Sequence, residues 1–393
     1  MSIDDKLQDA VIIGAGVVGL ATAVELATTH YNDFVNVLVL EKGRAGEEQS
    51  TRNSGVIHSG IYFPKESLRA ELCVEGNALM YEFCRQNIVP FRKVGKFIVA
   101  TTSGEESVLE ELYARAGDLK IPVTQVLQKE IMEKEPNVHA LSGLYFPNTG
   151  VVDAGRLIKT LEKKFVRGLG GYFLPQSKVT SIEPHDDGTI AVGYEHGGEY
   201  KTATTRVLIN SAGLFSDEVA SLYNPQLSRR VLPSRGEYCT FKRNKRHDLR
   251  YNGTNVYPVP EIDYRHGIEA IYGGVHITPQ VTDRLLNGRW GLSSEVLVGP
   301  IRQEVQSKTD YESNRIPAEE FIRRVHAFFP SLQVSDLQLG FTGIMTEIEK
   351  CDFCIEQDPQ YKNIIHLSGM ASPALTASFA IAKKVAHMVK GAV

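Results

Sequence analysis

With 393 residues, 42% hydrophobic and 23% charged, the chain has a globular composition and is long enough for two domains, or for one carrying a large insertion. A formal net charge of -4 without a long basic run excludes a strong nucleic-acid field, and the mixed segment 243–250 reads as a solvated loop. Five cysteines, at 73, 84, 239, 351 and 354, are too few and too irregular for a disulfide framework, which points to a reducing compartment. Cys351 and Cys354 have CxxC spacing but lack the second pair that zinc needs, so they read as structural thiols and no metal site is expected.

Residues 1–8 are polar and show no signal-peptide pattern, so the expected compartment is cytoplasmic. No run of about 20 apolar residues could span a bilayer, which leaves open only peripheral contact with a membrane surface. Residues 10–13 (AVII) form a short run suited to a strand buried on both faces, and they lead directly into Gly14-Ala15-Gly16-Val17-Val18-Gly19. In this GxGxxG, Gly14 allows a tight turn and Gly16 lets the backbone approach a pyrophosphate. Gly19 lets the following helix, 17 to 28, pack on the strand, with the diphosphate at its positive end. A second β-rich run, 35–40, ends in Glu41, which is placed 22 residues after Gly19 to bind ribose hydroxyls and to disfavour a 2′-phosphate. The fingerprint alone fits NAD or FAD.

Residues 50–62 (STRNSGVIHSGIY) are small, polar and punctuated by glycine where an NAD enzyme would continue to its next helix, so this segment can lie along a cofactor. Residues 91–100 and 225–345 carry β-rich pieces suited to a mixed or antiparallel sheet. Residues 206–212 (RVLINSA) read as a strand closing on small residues, followed by a helix at 214–223. Near the end, 363–367 is a strand, 369–373 a turn, and 375–389 an Ala-rich helix whose first N–H groups could meet an electron-rich ring edge.

The segments NSGVIHSGIY (53–62), ESLR (66–69), GKFIVA (95–100), GVVDAGRL (150–157), NSAG (210–213), RGEY (235–238), YPVP (257–260), GVHIT (274–278) and SPALTAS (372–378) follow one another in an order that resembles the D-amino-acid oxidase superfamily of flavoenzymes. NSGVIHSGIY in particular is similar to the L-2-hydroxyglutarate dehydrogenase/oxidase family. The resemblance implies an α/β fold: a Rossmann-like FAD-binding domain of glutathione-reductase type with an interleaved β-rich α+β substrate domain. The expected cofactor segments are 1–90, 150–222 and 345–393, and the substrate segments 91–149 and 223–344. FAD is the implied cofactor, with contacts from Gly14, Gly16, Val18, Gly19, Glu41, Lys42, Thr51, Asn53, Ser54, Gly55, Val179, Ala212, Gly213, Gly369, Pro373, Ala374, Leu375 and Thr376.

The implied reaction removes a hydride from a small 2-hydroxy acid, favouring L-2-hydroxyglutarate, and the electron acceptor is oxygen, a quinone or an electron-transfer protein. Neutral imidazole suits the base that takes the hydroxyl proton. His58 is the first candidate and His276 its rival or a partner to the substrate carboxylate. Tyr62 and Tyr257 can donate to a carboxylate, and Arg235 is the expected cation. Met345, in GIMT, stands where the family carries an arginine, so Arg302 and Lys350 are weighed as substitutes, each read as a surface residue. Other readings are an amine, amino-acid or glycerol-3-phosphate oxidase of the same superfamily, and a non-catalytic flavin or NAD sensor.

Overall fold

A computed structural model describes residues 6–29, 36–227, 229–243, 245–265, 268–349 and 352–390. Contacts divide the chain into two interleaved units, the first 1–51, 154–233 and 345–393, the second 52–153 and 234–344. The division thus places residues 52–90, which the sequence reading grouped with the cofactor segments, in the second unit, and 223–233 in the first.

The first unit is built on an eight-stranded sheet. Its centre is parallel: Gln8–Ile13 pairs with Val37–Leu40 on one side and Glu199–Asn210 on the other, and the outer neighbours Tyr172–Leu174 and Ile364–Ser368 run the same way. The central segments 10–13, 37–40 and 207–209 are apolar throughout because both faces are covered. Val11, Ile13, Leu38, Leu40 and Leu208 enter one core, and on the other face helix Val17–Thr29 packs against Ala154–Lys163 and Ala374–Lys390. Of the β run expected at 206–212, residues 206–210 end a 12-residue strand, Glu199–Asn210, whose first half instead pairs antiparallel with Ile190–His196. The helix expected at 214–223 is shorter, a 3-10 turn Gly213–Phe215 and a six-residue helix Ser216–Ser221. Asp217 holds it in place by accepting from the Glu218 and Val231 N–H groups.

The second unit holds another eight-stranded sheet, in the order Gln338–Ile348, Val231–Lys242, Arg289–Glu304, His276–Leu286, Asn255–Pro258, Lys96–Ala100, Ser142–Phe146 and Thr124–Leu127. Side chains alternate across it. Phe97, Val99, Val256, Ile277 and Val298 enter a core closed by Phe321, Phe328 and Phe329. Ile98, Ala100, Leu144, Phe146 and Tyr257 enter another, with Ile61, Tyr62, Leu109 and Leu112. Period two puts Lys96, at the head of its strand, on the face of Ile98 and Ala100. Among the described residues no helix is long and apolar enough to cross a membrane.

Candidate active site

The first unit presents a dinucleotide cradle made of backbone. Gly14 has φ 101°, and a Cβ there would lie 2.6 Å from the Ser211 carbonyl oxygen. A Cβ on Gly19 would lie 2.1 Å from the Gly14 oxygen, so the strand and helix approach as closely as they do only because both positions are glycine. A Cβ on Gly16 would meet only Ser50 Oγ, at 3.1 Å, which leaves that side open to a phosphate. Ser211 closes the turn, its hydroxyl donating to the Ile13 and Gly14 carbonyls. The first N–H groups of the helix have no intrahelical acceptor, and that of Val17 is taken by Ser50 Oγ. A helix start of this kind stabilises an anion, and Gly16, Val18 and Gly19 lie at it.

Glu41 follows the second strand as the fingerprint requires. It accepts from the Ala15 and Gly43 N–H groups, both at 2.8 Å, and each oxygen keeps a lone pair for a ribose hydroxyl. Burial lifts its carboxyl above the ordinary range, against the pull of those two bonds. Gln49 joins distant segments, donating to the Met370 carbonyl and accepting from the Thr346 N–H. Thr51 donates to the Gly46 carbonyl. Ala212 and Gly213 end the Glu199–Asn210 strand, Gly369 ends Ile364–Ser368, and Pro373, Ala374, Leu375 and Thr376 start the last helix. The unit therefore fits a flavin adenine dinucleotide along one edge of its parallel sheet. Two expected contacts are engaged otherwise: the Lys42 ammonium stands 3.2 Å over the Phe215 ring and 3.1 Å from Glu48, and the Val179 side chain packs in the core. Asn53, Ser54 and Gly55 fall in the second unit, where Asn53 Oδ1 accepts from the Gly55 N–H.

The second unit gathers His58, Tyr62, Tyr257 and His276 around a residue that the sequence reading passed over, Lys96. Its side chain is fully buried and its ammonium makes no hydrogen bond. Instead Nζ stands 4.2 Å from the ring centre of Tyr62 and 5.1 Å from those of Phe146 and Tyr257, within cation–π range. Desolvation pulls this amine down to about 7, with the nearby Cys73 thiol pulling the other way. The Tyr62 hydroxyl is also buried without a hydrogen bond. So is that of Tyr257, although Thr278 stands close enough to oppose the rise that burial imposes on this phenol.

Both histidines are held neutral. His276 is 5% exposed; its ring stacks on Tyr257 at 3.9 Å, and Nδ1 shares a 2.7 Å hydrogen bond with Thr278 Oγ1. Nδ1 being engaged, Nε2 is the atom left to meet a substrate. Desolvation, with the charges of His58 and Lys96, holds this ring well below the usual imidazole value. His58 keeps part of its surface open, yet protein crowds it closely enough that desolvation and the Lys96 charge hold it down to about 3. Its backbone is fixed by Asn77, which donates to the His58 carbonyl at 2.8 Å.

Arg235 requires a correction. It is fully buried, but as the centre of a structural network rather than a ligand for substrate. Nε and Nη2 donate to Glu237 at 3.1 and 2.8 Å, Nη1 to Asp310, and Nη2 also to Gln303 and the Ser313 carbonyl. Glu237 in turn holds Arg315 at 2.8 Å. Every nitrogen of the Arg235 guanidinium is engaged, so it has no donor to offer a carboxylate. Arg302 is half-buried rather than on the surface, 5.6 Å from the Tyr272 ring. Met345 is half-buried in the Gln338–Ile348 strand, while Lys350 and Cys351 lie outside the described residues. Cys73, Cys84 and Cys239 are buried free thiols, and Cys354 is half-buried. Among the described residues no cluster of three metal-ligating side chains occurs.

The FAD dependent oxidoreductase family model matches residues 9–388. The chain is 32% identical to the mitochondrial L-2-hydroxyglutarate dehydrogenase of Caenorhabditis briggsae, over 98% of this chain and 93% of that one. It is 30% identical to the L-2-hydroxyglutarate dehydrogenase of Indibacter alkaliphilus, over 94% and 96%. Among solved structures it is similar to the FAD-bound L-alpha-glycerophosphate oxidase of Mycoplasma pneumoniae, with a TM-score of 0.82 and 25% identity over 98% of this chain and 95% of that chain. It shares its fold with the glycine oxidase of Geobacillus kaustophilus, at a TM-score of 0.79 and 19% identity over 98% and 95%.

Proposed function

Because the chain belongs to the family of FAD-dependent oxidoreductases, with FAD as its cofactor, we propose that it oxidises L-2-hydroxyglutarate to 2-oxoglutarate. The observation that carries this reading is the cluster of two neutral imidazoles, one buried amine and two unsatisfied phenols in the second unit. The flavin, when bound, supplies a two-electron acceptor for the hydride of the hydroxyl-bearing carbon.

The protein's own part is positional and acid–base. His58, neutral and partly open, takes the hydroxyl proton on a ring nitrogen. The proton must leave as the hydride does, because the product is a ketone. His276, its ring fixed by Thr278 and Tyr257, meets the substrate through Nε2. Buried aromatic walls keep water from competing for these contacts. The relatives named for L-2-hydroxyglutarate, at 30–32% identity over nearly the whole chain, support the choice of substrate.

The test is anaerobic mixing of the FAD-loaded protein with L- and D-2-hydroxyglutarate, lactate, malate, glycerol 3-phosphate and glycine, followed in the flavin's visible absorbance. L-2-hydroxyglutarate should bleach it fastest. Faster bleaching by an amino acid or by glycerol 3-phosphate refutes the assignment.

A further inference from the structure

A dicarboxylate needs a cation in its site, since a buried carboxylate without a counter-charge costs several kcal/mol. Arg235 is engaged by Glu237 and Asp310, and residue 345 is a methionine. We propose that Lys96 is the counter-ion of a substrate carboxylate, assisted by the hydroxyls of Tyr62 and Tyr257, and that it takes up a proton when the carboxylate binds. The proposal rests on the 2-hydroxy-acid reading and specifies which side chain recognises the acid group.

Three facts carry it. Lys96 Nζ, Tyr62 Oη and Tyr257 Oη are all buried, and none makes a hydrogen bond to the protein. A single unsatisfied buried donor is a cost that folded proteins rarely tolerate, and three around one aromatic cage are a set waiting for an acceptor. The acceptor must be anionic, because the cage offers the ammonium only ring faces, at 4.2 to 5.1 Å, and no carboxylate. The lysine head is also not anchored. No hydrogen bond restrains its four-carbon arm, so it can swing its head toward a carboxylate presented at the open side of His58.

Proton uptake follows from the surroundings. The titratable groups facing Lys96 are His58, Tyr62, Cys73, Tyr257 and His276, and none of them is an anion at neutral pH. Burial pushes the Cys73 thiol up to about 12 and both phenols above their ordinary range, and it holds both imidazoles neutral. Without an anion the amine loses its proton near 7. A carboxylate beside it stabilises the ammonium and raises that value, so binding at pH 8 draws a proton from solvent.

Glutarate is the probe, because it keeps both acid groups and has no hydroxyl to oxidise. Calorimetry on the FAD-loaded protein at pH 8, in two buffers of different ionisation enthalpy, counts the protons taken up. The wild type should take up close to one per glutarate, and its affinity should fall about tenfold per pH unit above 7 until the pKa of the complex is reached. Lys96→Met, matched in length and apolar, should bind glutarate at least about tenfold more weakly, with no lysine-linked uptake and a flat pH dependence between 7 and 9. Lys96→Gln should do the same, and flavin content reports whether either variant has folded. The proposal falls if the wild type binds glutarate without proton uptake or fails to bind it. It also falls if a folded Lys96 variant keeps wild-type affinity and uptake. Flavin bleaching by L-2-hydroxyglutarate separates the two readings: bleaching without lysine-linked binding sinks only the Lys96 assignment, whereas absence of bleaching by any 2-hydroxy acid sinks the function.

Discussion

Two fully buried cations lie in the sheet of the second unit, and their surroundings are opposite. Arg235 is enclosed by Glu237, Asp310, Gln303 and backbone carbonyls, so its charge is cancelled and its donors are filled. Lys96 is enclosed by three aromatic rings, and its ammonium makes no hydrogen bond. A buried charge that is paired within the fold serves the fold. One left unpaired is unfavourable to the fold, and it persists where a ligand completes it.

The comparison breaks most visibly at Arg235. Arg235→Met leaves the fully buried Glu237 with only Arg315 and the Ile316 N–H for partners, and it should cost about 3–5 kcal/mol of unfolding free energy, read by urea titration. A loss below about 1 kcal/mol would mean that the network is slack and that Arg235 is available for other work after all. Lys96→Met should do the reverse and raise stability by about 1–3 kcal/mol at pH 6, because it removes an uncompensated amine from an apolar site. The sign can be checked against pH. The folded value near 7 is depressed below the unfolded 10.5, so the unfolded chain binds the extra proton between them and wild-type stability climbs through that window. The advantage of Lys96→Met should therefore shrink from pH 6 to pH 9, and a gain that is constant with pH contradicts the assigned environment.

What the sequence made legible divides along the same line. The cradle of Gly14, Gly16, Gly19 and Glu41 is written in contiguous residues whose jobs are backbone jobs, so spacing alone finds it. The cluster of the second unit is assembled from residues 58, 62, 96, 146, 257 and 276, and side chains that meet only through a sheet leave no local signal. Lys96 opens the apolar run KFIVA, and at the head of a strand after a turn a lysine reads as solvated. Only the pairing of its strand with Asn255–Pro258 and Ser142–Phe146 brings Tyr257 and Phe146 over it. The pairing of Arg235 with Glu237 is legible in the sequence. In a β run, residues two apart share a face, so Arg235-Gly236-Glu237 already places an anion beside the arginine. The shortened helix after Gly213 was not readable, because it depends on Asp217 reaching the Val231 N–H.

The catalytic pH profile sharpens the comparison next. An ordinary imidazole base would lose activity below pH 6.5, but the same desolvation that leaves Lys96 unpaired holds His58 down to about 3. kcat/KM for L-2-hydroxyglutarate should therefore stay level down to about pH 5, where the substrate's own carboxyl groups begin to take up protons. Above 7 it should fall about tenfold per unit as the free enzyme's Lys96 deprotonates. A tenfold drop between pH 7 and 5.5 would show that a histidine titrates near its ordinary value, and with it that the site is wetter than its burial implies.

The smallest effect should come from the neutral bond in the cluster. Thr278 Oγ1 and His276 Nδ1 are 2.7 Å apart in a fully enclosed position, and valine keeps the shape of threonine without the hydroxyl. Thr278→Val should cost about 1 kcal/mol of stability, the net worth of one buried neutral hydrogen bond plus the desolvated nitrogen it leaves. Its catalytic consequence depends on which partner donates. If Nδ1–H donates to the threonine, Nε2 is bare and can accept a proton, and the variant should lose kcat with KM unchanged. If the threonine donates instead, Nε2 carries the hydrogen and can only hold the substrate, and the variant should raise KM with kcat preserved. The first outcome would make His276 a second base beside His58; the second would make it a companion to Lys96 in gripping the carboxylate.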